Sequence, residues 1–422
     1  QLFSYGLTSA MNAGTSVEYL NEVYRPLYES GQLKLRSYLL MSLSSTEGEQ
    51  ADYLRTTAPQ GGLYNNHMDV RAVKLFSDGS LGARSAAMLE DYSDRAGHTG
   101  NNRYTDDEMY ALVKLAYENG YQMGSHAIGD AANHQLLDCY EKVLAENPRE
   151  DHRLRIEHFQ ILTLDDIQRA INMGVLPSMQ TTHATSDMLM AEDRIGTERI
   201  KGAYAWRTII DSGSIIINGT DAPVELVNPY HSLYAAVTRK SRLGEPPEGW
   251  HPEQCMTREE ALRSYTNWPA YGEFNEDLKG SLEVGKLADF VVIDRDYMTC
   301  PEEDIKDIQA LLTVSGGEVV YQKDTSVPTI MWNGLPLTFN SELIVEPGKI
   351  YVPLNDVING ISAEKRADGA SMLVTLNGKS IKLPVKTVDG VDYVAVRALF
   401  EGLGRNVTWY GDSRCVSIGW LK

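Results

Sequence analysis

The sequence predicts an α/β protein built on an incomplete TIM-like (β/α)8 barrel that lacks its first strand, with a small α+β domain at the C-terminus. Three observations carry that prediction. Between residues 6 and 223, short apolar runs alternate with amphipathic stretches, the pattern of a parallel sheet wrapped by helices. Asp78, His126, His158, Gln180 and Asp221 fall just after apolar runs, and a barrel gathers its chemistry at those strand ends. Residues 328–422 carry an internal repeat, with Gly348–Leu376 lying over Gly390–Ile418 at a spacing of 42, which marks a separate duplicated module.

Seven strands are expected, at 7–12, 35–41, 70–76, 122–126, 153–158, 175–179 and 215–218. Helices are expected over 105–118, 131–144, 164–173 and 206–212. The first opens on Thr105 with Glu108 three residues on, the spacing of a capping box. A doubly wound open sheet is the alternative, but no GxGxxG follows any of these strands. Seven strands are one short of a closed barrel. The chain opens at Gln1 without a Met or a leader, so the first strand is expected to be encoded upstream. Thr257 opens a further helix, residues 280–294 read as two strands around a Gly-Lys turn, and residues 311–321 read as a hairpin tipped by Gly316-Gly317. The expected units are 1–279, 280–322 and 328–422, the last joined by a polar linker at 322–326 and expected to fold alone.

At 422 residues, 42% hydrophobic and 23% charged, the chain has room for one large and one small core. The net charge of -19 argues against nucleic acid, which wants a basic face. No apolar run is long enough to span a bilayer. Cys139, Cys255, Cys300 and Cys415 form no CxxC pair and suggest neither a disulfide framework nor a zinc ribbon.

Lys74 lies within the apolar run Val73–Phe76, where an ammonium would lose its hydration. It is either paired with a carboxylate or has reacted with carbon dioxide to a carbamate, an anion that can hold metal. His126 and His158 end consecutive strands, and neighbouring strands about 4.8 Å apart can aim two imidazoles at one point. With a carbamate at Lys74, three ligands converge from three strands. Asp221, in Gly219-Thr220-Asp221-Ala222-Pro223, ends the last strand, where an aspartate can ligate a metal and take a proton from its water.

These stretches resemble one family. Val73–Arg84, Ser125–Asp130, Arg155–His158, His183–Met188, Ala203–Arg207, Gly219–Pro223 and Gly280–Asp294 are similar to the amidohydrolase superfamily, in its family-3 branch that includes N-substituted formamide deformylases. The resemblance implies a metal-dependent hydrolase on a TIM-like barrel. It implies a carboxylated Lys74, metal ligands at His126 and His158, and Asp221 as ligand and proton shuttle. Arg84, His183 and Trp206 sit in motifs implied to line the substrate side. The family's small β-sandwich takes strands from both chain ends, so only its C-terminal half, within 280–322, is expected. None of the nine histidines forms the His-x-His pair that ends the family's first strand. His67 is a poor substitute, because it follows Asn65-Asn66 in a loop.

The tail, through Tyr351-Val352-Pro353-Leu354, Tyr393–Arg397 and Val407-Thr408-Trp409, resembles the small domain named after the N-terminal region of copper amine oxidases. It has no histidine and nothing like a copper site. Such domains belong to exported proteins of Gram-positive bacteria, which implies an extracellular or surface location, with attachment to a cell surface through the tail. The expected function is hydrolysis of an amide or N-formyl carbon–nitrogen bond in a small-molecule substrate by a metal-activated hydroxide. Divalent metal, zinc first, is the expected cofactor: two ions in a complete protein, at most one here. Without the His-x-His pair, this chain by itself is expected to be inactive. The rival reading is a degenerate barrel that binds a small molecule and catalyses nothing.

Overall fold

The computed structural model describes residues 1–369 and 371–420. Seven parallel strands form its central sheet: β1 (Ser9–Thr15), β2 (Arg36–Ser42), β3 (Met68–Phe76), β4 (Gln122–Ala127), β5 (Arg155–His158), β6 (Leu176–Met179) and β7 (Ile217–Asn218). Each expected strand is present, shifted by at most three residues at either end. Their spatial order follows their sequence order from β1 to β7. That is the singly wound order of a barrel; a doubly wound sheet reverses direction midway. A short strand, Gln60–Gly62, adds to β3 through one antiparallel pair, Gln60 with Val70.

Among the described residues β1 pairs only with β2, and β7 only with β6, so the sheet is curled but not closed. The curl brings β1 opposite β5, where Met11 Sδ accepts a bond from Arg155 Nη1 at 2.8 Å. The interior is tight at Gly124, where an added Cβ would lie 2.5 Å from Leu40 and 2.8 Å from the Glu157 carboxylate.

The helices start where their caps dictate. Thr105 and Glu108 close a reciprocal capping box on α1 (Asp106–Glu118). α2 (Asp130–Glu146) follows β4, and Thr163 caps α3 (Leu164–Asn172) by accepting from Asp166 N. α4 (Thr181–Asp187), α5 (Trp206–Asp211) and α6 (Pro229–Thr238) follow, and a second capping box at Thr257 and Glu260 opens α7 (Arg258–Tyr265).

The segment after the barrel corrects one expectation. Only Phe290–Ile293 of the stretch 280–294 forms a strand, at the edge of a three-stranded sheet with Ala310–Ser315 and Glu318–Gln322. Leu282 and Val284 lie on the surface, so that half has no apolar face to pair against. The hairpin around Gly316-Gly317 is formed.

In the tail, each repeat folds as strand, helix and strand pair: Lys349–Pro353, Leu354–Gly360 and then Glu364–Asp368 with Ser371–Leu376 in the first copy. The second copy uses Val391–Ala395, Val396–Gly402 and then Arg405–Tyr410 with Cys415–Trp420. Its core of Ile330, Val352, Val357, Val394, Leu399 and Phe400 is separate from the barrel's. The tail is nevertheless more than tethered. Ser413 Oγ donates to Asp294 Oδ2 (2.7 Å), Tyr410 OH donates to Asp304, and the Arg295 guanidinium sits 3.4 Å from the Tyr410 ring centroid. His231 Nε2 in α6 donates to Gly334 O (2.9 Å).

Candidate metal and catalytic centre

Lys74, on β3, is 3% exposed and has no carboxylate within 4.0 Å among the described residues. Burial pushes its pKa down, against the longer-range pull of Glu157 and Asp221. Burial thus favours the neutral amine, the form of a lysine that acts as a nucleophile. Its Nζ lies 4.9 Å from the Phe76 ring centroid; that ring, two residues on and therefore on the same face of the strand, is half exposed beside His126.

His126 ends β4 and His158 ends β5, with ring centroids 4.5 Å apart and edge to face. Their outward nitrogens are both engaged. His126 Nε2 faces Asp78 Oδ1 at 3.1 Å and Gly79 O at 3.2 Å, two acceptors, so Nε2 carries the proton and Nδ1 keeps its lone pair. His158 Nδ1 donates to Gln180 Oε1 at 2.8 Å, which leaves Nε2 with its lone pair. Such partners fix ring tautomer and orientation in metal sites. Burial holds His158 well below the usual histidine pKa, with His126, Lys74 and His183 adding to the effect. The His158 ring is therefore suited to act as a neutral donor.

Asp78 is the strut of this arrangement. Fully buried, it accepts from Ile128 N, Gly129 N and Ala87 N at 2.8–3.1 Å as well as facing His126. It thereby ties the loop after β3 to the loop after β4. Beneath the histidines, Arg155 grips Glu157 through two bonds (2.6 and 2.9 Å), and Ser178 completes the triangle. Burial would raise the Glu157 carboxyl, but Arg155 and Lys74 outweigh it and hold the group ionised.

Asp221 follows β7 with φ 53°, and His158 has φ 75°. Non-glycine residues in the left-handed region are strained, and such strain concentrates where side-chain aim matters. Burial raises the Asp221 pKa, against Lys74 and His126. That makes it a better proton acceptor than a surface aspartate. His183, on α4, stacks near His158 (5.7 Å) and reaches to 3.9 Å from Asp221, with its buried Nε2 unpartnered. Burial lowers its pKa to about 4, so it is neutral at neutral pH.

The structure therefore gathers Lys74, His126, His158, His183 and Asp221 at one end of the sheet. Among the described residues no three His, Cys, Asp or Glu side chains form a ready-made metal cage. For the other two expected residues the structure gives other partners. Trp206 is fully buried beneath the Arg239 guanidinium (4.2 Å). Arg84 is spent on Asp94 through two bonds (3.0 and 2.8 Å). His67 precedes β3 and so sits at the opposite end of that strand, about 23 Å from Lys74 at roughly 3.3 Å per residue, bonded to Tyr64 O and Asn65 O. Sequence reasoning placed Asp78 and Gln180 at strand ends but gave them no role; only their acceptor positions against the histidines reveal one. Glu157 and Phe76 were equally unassigned.

Residues 1–321 match the Amidohydrolase family. The chain is 33% identical over 257 residues to YtcJ of Bacillus subtilis (strain 168), named as an amidohydrolase, covering 61% of this chain and 48% of YtcJ. It is 28% identical over 257 residues to the N-substituted formamide deformylase of Arthrobacter pascens, covering 60% and 46%. In structure it is similar to an uncharacterized metal-dependent hydrolase from Pyrococcus furiosus, with TM-score 0.59 and 29% identity over 71% of this chain and 58% of the other. The chain spans about half the length of these two sequence relatives.

Proposed function

The chain belongs to the amidohydrolase family, and from that premise we propose that it is a metal-dependent hydrolase of carbon–nitrogen bonds other than peptide bonds, of amide or N-formyl type. One observation carries the reading: the outer nitrogens of His126 and His158 are both tied back, so each ring offers its remaining lone pair beside a desolvated lysine. His126, His158, Asp221 and Lys74 as its carbamate would hold a divalent cation, zinc first. Bound there, the cation supplies Lewis-acid polarisation of a carbonyl and lowers the pKa of a water to about 7.

The chain's own residues do the rest. Asp221 takes the proton of the attacking water and returns it to the leaving nitrogen, a task suited to its raised pKa. Neutral His183, 3.9 Å from Asp221, contacts the substrate. Phe76 provides an apolar wall beside His126. Glu157 and Arg155 hold the floor rigid. The expectation that the chain is inactive finds no support in this arrangement. The reading extends to an extracellular location, with the docked tail as the surface-facing module.

Metal analysis of the chain, intact mass in bicarbonate, and hydrolysis of N-formyl and N-acyl amines test the reading. Bound metal that is lost in Lys74→Gln, together with turnover, is the expected result. A chain that binds no divalent ion and hydrolyses none of these substrates refutes it.

A further inference from the structure

Where the tail meets the barrel, a groove of about 620 Å³ runs between the Arg242–Leu243 loop and the C-terminal domain's Trp332–Thr338 hairpin. That volume is within the range of small-molecule sites. One wall is apolar: Trp332, backed by Phe400 at 5.3 Å, with Leu335 and Leu243 both exposed on its flanks. The charged feature of the other wall is Arg242. Its guanidinium makes one hydrogen bond, Nη1 to Asn333 O at 3.0 Å, and has no carboxylate within 4.0 Å among the described residues.

Several desolvated arginines of this chain are matched to carboxylates: Arg36 with Asp289, Arg153 with Glu276, Arg155 with Glu157 and Arg295 with Asp294, all at 2.6–2.7 Å. Among the described residues Arg239 is not, but it is sealed in the core on Trp250 O, Tyr204 O and the Trp206 ring, whereas Arg242 lines an open groove. Burial lowers the Arg242 pKa, with Glu225 acting only at longer range. The groove's own carboxylate, Asp356, is already committed to Asn340 N (2.7 Å) and Nδ2 (2.9 Å). The turn that holds Arg242 is anchored by the bond from His231 to Gly334, so the groove is preformed.

We propose that this groove binds a small amphipathic carboxylate, its apolar body against Trp332 and Leu335 and its carboxylate on Arg242. A guanidinium fork matches a carboxylate bidentately. A dianionic phosphate is disfavoured, because Asp356 shares the groove and the chain's net charge is -19. The site is independent of the histidine centre and of the reaction proposed there.

Isothermal titration of the full chain with 3-phenylpropionate tests the proposal, with uncharged 3-phenylpropan-1-ol as the matched control. A Kd in the millimolar range or tighter is expected for the acid, and at least tenfold weaker binding for the alcohol. Arg242→Gln should weaken the acid at least tenfold with an unchanged melting temperature. Leu335→Asp, at an exposed position, should do the same by repulsion. No binding at 20 mM, equal affinity for acid and alcohol, or full retention in either variant overturns the proposal. Tighter binding of phenyl phosphate overturns the carboxylate assignment.

Discussion

The barrel interior and the core of the C-terminal domain are both buried, yet they hold different kinds of side chain. The barrel buries Lys74, Arg155, Glu157, His126, His158 and Asp78. The tail's core is hydrocarbon, from Ile330 to Phe400, and the tail has no histidine. Buried hydrocarbon stabilises in proportion to its area. Buried ionisable groups cost solvation and persist only when other groups satisfy them. The difference points to the barrel as the place for chemistry without reference to any relative: that is where the fold buries paired charges and an unpartnered imidazole.

Four experiments break or sharpen this contrast. The largest effect belongs to Asp221→Asn, which keeps the shape and removes the proton acceptor. Turnover of an N-formyl substrate should fall by about 10²–10⁴-fold, while the urea midpoint moves little. An undiminished rate would show that Asp221 is not the proton carrier. Next, Glu157→Ala leaves Arg155 buried without its partner and should cost about 3–5 kcal/mol, read by urea unfolding of the barrel. A cost below about 1 kcal/mol would mean the pair is solvated in practice.

In the tail, Leu399→Ala creates a cavity in pure hydrocarbon and should cost about 2–5 kcal/mol. Its effect should appear in the tail's own protection in amide exchange, with that of β3 to β5 unchanged. Equal loss in both regions would show a single cooperative unit.

The smallest effect is a pH slope. Burial lowers the pKa of His231 to about 4, with Gly334 O on its ring and Arg242 and Lys306 nearby. Between pH 4 and 6.5 the unfolded chain holds this proton and the folded chain does not, so stability rises with pH across that window. This histidine alone should remove about 2 kcal/mol by pH 5. His231→Gln should flatten the slope by that amount, and an unchanged slope would locate the acid sensitivity elsewhere.

Much of the scaffold was legible in the residues. The seven strands were readable because buried parallel strands are short apolar runs, and the helix starts because Thr105 and Thr257 carry their capping partners three residues on. The strand expected before the Gly-Lys turn of 280–294 was misread, since local alternation cannot report that no partner face exists for Leu282 and Val284. The surroundings of Trp206 were not legible either: an aromatic near a motif reads the same in sequence whatever packs on it, and the structure puts Arg239 over its ring.

What the sequence by itself determined is the order of the strands, their capped helices, the tail's duplication and the positions of Lys74, His126, His158 and Asp221 at strand ends. These are local properties: periodicity, capping distance and repeat spacing involve residues close along the chain. Tertiary structure alone decided which nitrogen each histidine offers, because Asp78 and Gln180 lie 48 and 22 residues away from the rings they hold. It also decided that Arg84 is committed to Asp94, and that the tail docks through Tyr410, Ser413 and Gly334. Hydrogen bonds and burial act through space, and only folding brings such distant groups into hydrogen-bonding reach of one another.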